Sequence, residues 1–213
     1  MTNTSFKYNN IEKINKNFMY KDLRRSNCYN SNFTDSNFNY VSFRGAHFKS
    51  CDFYGCTFTY AEFIGSNLKK SKFKNAIFEN TIFEGVNLDG VDFKGAKFTN
   101  VIFVGTDIEK ASNIKAKKAD IRVFDEMPNL EISENLKEAI ENAMNNEHVK
   151  KSRVLDNKEG KINLLSVMIL LENFDEESLI KGLNKFSSEL EKDFCTLSYI
   201  IKTLENYKSK DSI

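Results

Sequence analysis

Four cysteines and two histidines are the residues of this 213-residue chain best suited to chemistry. A structural zinc site needs four Cys or His ligands, commonly as two close pairs, and nucleophilic catalysis needs a thiol or hydroxyl beside a base. Cys51 and Cys56 form one C-x4-C pair, Cys28 and Cys195 stand apart from it, and His47 and His148 lie in regions of different pattern. That spacing predicts reduced, buried thiols, with no catalytic, cofactor or metal site. His47 reads as a surface residue. The glycines do not spell the G-x-x-x-x-G-K-[ST] phosphate cradle, so neither a nucleotide nor another small-molecule substrate is expected.

Two surface clusters could bind rather than react. Lys69, Lys70, Lys72 and Lys74 gather in six residues, but Asp52 and Asp92 lie twenty residues either side of Lys72. Tyr20, Tyr40 and Tyr60 are also twenty apart, which reads as packing rather than as a platform for nucleic-acid bases. Over the whole chain 31 Lys plus Arg balance 30 Asp plus Glu, the signature of neither a dedicated nucleic-acid binder nor a polyanion. The first ten residues lack the apolar core of a signal peptide, and no window approaches the roughly 20 apolar residues of a membrane span. A cytoplasmic protein without membrane insertion is the expectation.

The element that must position all of these has a period of five. Stepping by five from Phe18 to Ile108 gives nineteen positions: fourteen Phe, with Leu23, Leu68, Leu88, Cys28 and Ile108. The centres Phe33, Phe38, Phe43, Phe48, Phe53, Phe58, Phe63, Phe73, Phe78, Phe83, Phe93, Phe98 and Phe103 are the predicted structural core. Two residues before each centre, from Ser26 to Ala111, every residue is Ser, Ala, Val, Cys or Thr, so a second inward position accepts only small side chains. Two residues after the centre, Gly and Asn recur, for example at Gly45, Gly65, Gly85, Asn80 and Asn100, as a turn with positive φ requires. A chain that bends every five residues with one side apolar closes into a stacked polygonal coil.

"GVNLDG", "GVDFKG", "GSNLKK" and "SNFTDSNFNY" resemble the A-(D/N)-L-x-x motif, and its Phe-centred version, of the pentapeptide repeat proteins. The resemblance implies a right-handed quadrilateral β-helix, a β-solenoid with four pentapeptides per coil. Gly45, Gly65, Gly85 and Gly105 then form one corner, and nineteen repeats make about 4.75 coils, roughly 23 Å tall at the usual strand spacing.

The expected organisation is an N-terminal cap over 1–17, the repeat solenoid over 18–125 with core repeats 18–110, and an α-helical region over 126–213 of about three helices. Phe6, Tyr8, Ile11 and Ile14 suit a short helical or irregular cap, Lys13 ends the register upstream, and Asn113 breaks it downstream. "ADIRVFDE" (119–126) supplies one last, shifted side. Ser133 and Asp175 are N-cap candidates, and a second helix is expected over about 162–173. In the third helix, Leu179, Leu183, Phe186, Leu190, Phe194, Leu197, Ile201 and Leu204 form a coiled-coil-like seam. This seam packs within a bundle on the same chain, broken at Gly182, or pairs with a copy of itself as a homodimer.

Outside the inward register, Ile64, Ile82, Ile102 and Val104 occupy outward slots on one face, with Ile77 on the preceding one. Outward apolar residues mark contact, and the expectation is that the C-terminal helices or a partner chain cover them. The best-known pentapeptide repeat proteins confer quinolone resistance by protecting DNA gyrase and topoisomerase IV, through a negatively charged rod of duplex-like width that dimerises at its C-terminal end and often bears projecting loops. Here residues 1–110 carry fifteen Lys plus Arg against eleven Asp plus Glu, a net of +4; no loop interrupts the repeats, and about 85 further residues follow. These departures favour a non-enzymatic protein-interaction scaffold with an unidentified protein partner over a DNA mimic, and over an adaptor for nucleic acid or the cell envelope.

Overall fold

The computed structural model describes residues 6–210. The chain divides into two compact units, Met1–Glu126 and Met127–Ile213; the ends of the expected cap (1–5) and of the helical region (211–213) lie outside the described residues.

Among its described residues the first unit carries ten short strands: β1 (Lys7–Asn9), β2 (Asn27–Tyr29), β3 (His47–Lys49), β4 (Thr57–Thr59), β5 (Glu62–Ile64), β6 (Ile77–Glu79), β7 (Ile82–Glu84), β8 (Lys97–Thr99), β9 (Val101–Val104) and β10 (Ile121–Phe124). They form three parallel sheets, ordered β1-β2-β3, β4-β6-β8 and β10-β9-β7-β5. Each pairing joins residues twenty apart, as in Phe58↔Phe78 and Phe83↔Phe103. Isolated parallel bridges, Asn32↔Asp52, Asp52↔Lys72 and Lys72↔Asp92 among them, carry the fourth side. Four pentapeptides therefore make one turn of a four-sided β-solenoid, with about six turns.

The two inward positions explain the stability of this coil. Rings twenty residues apart stack at nearly the strand spacing, with centroids 4.5 Å apart for Phe43–Phe63 and 4.8 Å for Phe53–Phe73 and for Phe83–Phe103. The predicted core phenylalanines are all buried. The small positions do more than leave room. Ser31 Oγ donates to the Tyr8 carbonyl at 2.7 Å, Ser71 Oγ to that of Phe48 at 2.7 Å and Thr106 Oγ1 to that of Phe83 at 3.1 Å, each one coil back. At many corners the centre carbonyl accepts from the N–H three residues on, as Phe18 does from Lys21, and φ is positive two residues after the centre.

Two boundaries differ from expectation. Residues 7–17 form no separate cap. β1 pairs with β2, and the Glu12↔Asn32 and Asn17↔Asn37 bridges continue the ladder, so this segment is the first coil. Lys13 sits at an inward position of this coil with its amide donating to the Asn32 carbonyl, and its ammonium lies 5.5 Å from the centroid of the Tyr8 ring. Downstream, Asn113 and Lys118 end the apolar stack but not the backbone ladder. Ser112 still bridges Asp92, and β10 pairs with β9 in the unshifted register, Ile121↔Val101.

The second unit has five helices among its described residues: α1 (Glu134–Asn145), α2 (Glu147–Ser152), α3 (Leu164–Asn173), α4 (Glu176–Glu189) and α5 (Leu197–Ser209). Ser133 and Asp175 cap α1 and α4, accepting from the Leu136 and Ser178 amides. α2 was missing from the sequence expectation because Asn146 both ends α1 and caps the next helix within one residue. α1 packs on α4, α4 on α5, and α3 touches both. The break in the long seam falls at residues 190–196, not at Gly182, which is buried inside α4.

Candidate protein-interaction face

The β10-β9-β7-β5 sheet forms one side of the solenoid. Inward, Phe63, Phe83 and Phe103 stack; outward, the alternate residues stand in two columns. One runs Ser42, Glu62, Ile82, Ile102, Arg122 and the other Ile64, Glu84, Val104, Phe124. The structure thus brings four of the predicted outward residues together, and all four are withdrawn from solvent: Ile64 and Ile82 are 8% exposed, Ile102 3% and Val104 2%. Glu62, also buried, belongs to the same surface and went unpredicted, because a single Glu in an outward slot looks like any solvated charge. Ile77 does not join them. It lies on β6, in the adjoining sheet, between Thr57 and Lys97, and is 40% exposed.

The first coils of this same side carry charge instead. Arg24 grips Asp22 through two contacts, Nε to Oδ1 at 2.8 Å and Nη2 to Oδ2 at 2.7 Å. One side therefore grades from an ion pair near the start of the solenoid to an aliphatic patch near its end.

The residues suited to chemistry do not converge. Among the described residues no three His, Cys, Asp or Glu side chains group as metal ligands would. Cys28, Cys51 and Cys56 are unpaired and buried. Burial pushes the Cys28 thiol up to about 11 and those of Cys51 and Cys56 up to about 12, so they stay protonated and weakly nucleophilic at neutral pH. Exposed His47 sits on β3 between Asn27 and Asn67. In the other unit His148 Nδ1 lies 2.6 Å from Asp193 Oδ1, and that hydrogen bond holds the Asp193 carboxyl below its ordinary range.

The lysine cluster is matched by acid. Lys72 stacks between Asp52 and Asp92, Lys69 lies 3.5 Å from Asp89, and Lys74 lies 3.5 Å from Asp92. Partial burial raises the Asp92 carboxyl, but hydrogen bonds from Asn113, the Lys94 amide and Lys74 outweigh it and leave the group lowered. Tyr20, Tyr40 and Tyr60 stack face to face with centroids 5.0 and 5.5 Å apart, which turns the ring faces onto one another.

The seam of the helical unit is spent internally. Leu179, Leu183, Phe186, Leu190, Phe194, Leu197, Ile201 and Leu204 are buried in one core with Leu136, Ile140 and Leu170. In this conformation the seam packs within the chain, the first of the two expected arrangements, and it is divided between two helices. The cause is the interruption at 190–196, which lets α5 join the same core as α4.

No curated protein matches the sequence. Among solved structures, the chain is similar to a pentapeptide repeat protein of the Arabidopsis thaliana thylakoid lumen, with 13% identity over 72% of this chain and 88% of that one and a TM-score of 0.36. It is similar also to HetL, a pentapeptide repeat protein involved in heterocyst differentiation regulation from the cyanobacterium Nostoc, at 18% identity over 51% of this chain with a TM-score of 0.28. The match spans 48% of HetL, about half its length. A further likeness is to QnrB1, a plasmid-mediated fluoroquinolone resistance protein, at 16% identity over 50% of this chain and 74% of that one, with a TM-score of 0.24. Residues 17–57 and 48–102 match the family described as pentapeptide repeats (9 copies). With its unbroken run of pentapeptides, four to each turn of a β-solenoid, the first unit of this chain carries the repeats of the pentapeptide repeat family over residues 17–102, and it is followed by a unit with five helices among its described residues.

Proposed function

We propose that this chain is a non-enzymatic, cytoplasmic protein-interaction scaffold, in which the solenoid over 18–125 fixes the geometry of a contact surface and the helical region over 126–213 serves oligomerisation or docking. One observation carries the proposal: the outward aliphatic patch of Ile64, Ile82, Ile102 and Val104, on a sheet whose other surface is locked by stacked phenylalanines, is already covered within the chain as a contact face is, so a partner reaches it by displacing that cover. An apolar surface on a rigid sheet fits protein contact, where burial supplies affinity and the fixed register supplies selectivity. The shielded, protonated thiols fit a reducing compartment and no nucleophilic role.

Co-purification with tagged full-length chain tests this reading. Ile82→Lys with Ile102→Lys places two ammonium groups in the patch and should remove the associated protein, while Ile77→Lys, on the adjoining side, should leave it bound. An unchanged set of associated proteins with the double variant would remove the patch from the account.

A further inference from the structure

Four of the five helices start on a residue that caps them. Ser133 accepts from Leu136, Asn146 from His148 and Val149, Asn163 from Leu165 and Ser166, and Asp175 from Ser178. α5 is the exception, since its N-cap Thr196 makes no side-chain cap bond. At the other side of the gap α4 ends on Leu190, extended at φ −75° and ψ 116°, with no glycine to stop it. Residues 183–209 contain neither Gly nor Pro, and the apolar spacing runs unbroken through Leu190, Phe194 and Leu197. Local sequence thus encodes one helix where the fold has two.

The bend is held from outside. Asn146 Nδ2 donates to the Ser187 carbonyl at 3.0 Å and, more weakly, to that of Leu190 at 3.5 Å. His148 Nδ1 and Lys151 Nζ approach Asp193 Oδ1 at 2.6 and 3.5 Å, and Phe194 stacks on Tyr199 at 4.9 Å. The Asp193 side chain is 59% exposed, which makes this a modest clamp rather than a buried lock.

We propose that residues 190–196 are a hinge through which two copies of the chain exchange α5. In the exchanged form α4, the hinge and α5 run as one helix over Glu176–Ser209, about 51 Å at 1.5 Å per residue. Each α5 then fills, against α3 and α4 of the second copy, the place its own chain fills in the closed form. The occupant follows from the core: Leu197, Ile201 and Leu204 already fit that cluster, so a second copy offers an identical surface and no new interface is needed. Straightening the hinge adds helical hydrogen bonds and gives up the Asn146 and His148 contacts, so protein concentration decides between the forms. This behaviour is independent of what the solenoid binds.

Sedimentation velocity of the full chain over a concentration series, read with far-UV circular dichroism, tests the hinge. The wild type should show a dimer whose share rises with concentration and whose formation adds helical signal. Asp193→Ala removes the clamp and substitutes a strong helix former, so the dimer should appear at roughly tenfold lower concentration. Glu191→Pro suits the bent form, because Leu190 already has the extended ψ that a residue before proline adopts, and it blocks the continuous helix. That variant should stay monomeric at every concentration with the thermal midpoint of the wild-type monomer. Should Asp193→Ala fail to fold, His148→Ala removes the same contact and is read in the same way. Wild type and clamp variant both monomeric throughout, or Glu191→Pro dimerising like the wild type, would overturn the proposal.

Discussion

Ser71 shows how a hydroxyl becomes a core residue. It is fully buried, donates to the Phe48 carbonyl and accepts from the Cys51 amide at 3.0 Å, closing two backbone groups that the four-sided coil leaves open. Ser71→Ala should cost about 1–3 kcal/mol, measured by urea denaturation, because it leaves the buried partners unsatisfied rather than removing them. The thiols give a second check. With Cys51 and Cys56 pushed up to about 12, maleimide at neutral pH should label native protein at half-buried Cys195 alone, and denatured protein at all four cysteines, counted by mass spectrometry. At this scale the inward phenylalanines were legible, since nothing but a turn every five residues makes nineteen consecutive apolar centres. The hydrogen bonds of the small residues were not. Ser and Ala look alike as small side chains until the carbonyl one coil back is in place.

Elements were legible to the extent that their signals are local. Ser133 and Asp175 announce α1 and α4 because a cap and its amides lie within three residues. The end of α4 was hidden because its causes are distant in sequence: Asn146 and His148 reach it across more than forty residues. The first described coil was hidden for a related reason, as Lys13 reads as a break in the register although the backbone ladder runs through it to residues twenty on. The His148–Asp193 contact also sets a pH dependence. A carboxyl held below its ordinary value stabilises the fold above the usual aspartate range and loses that contribution as the pH falls through that range to the depressed value. Thermal unfolding of the helical unit should therefore lose stability in that acid window, and Asp193→Asn should flatten this part of the profile.

For the molecule as a whole, the charge of the solenoid bears on function. A net of +4 over residues 1–110 does not imitate the phosphates of a DNA duplex, so micromolar protein should neither inhibit gyrase supercoiling nor protect gyrase from a quinolone. The outward patch was largely legible. The five-residue period puts Ile64, Ile82, Ile102 and Val104 on one face and Ile77 on the preceding one, and the pairings Ile82↔Ile102 and Glu84↔Val104 agree; that Glu62 is buried on the same face was not legible. All of this depends on a coil of twenty residues that holds each side chain in register. The most direct test removes one coil. Deleting Ser66–Gly85, twenty residues, joins Gly65 to Val86 in phase and should give a folded protein with a cooperative thermal transition and the same far-UV spectrum per residue. Deleting Ser66–Phe83, eighteen residues, joins Gly65 to Glu84 out of phase, moves charged residues to inward positions and should abolish that transition. Equal tolerance of the two deletions, or loss of folding in the twenty-residue one, would contradict the account.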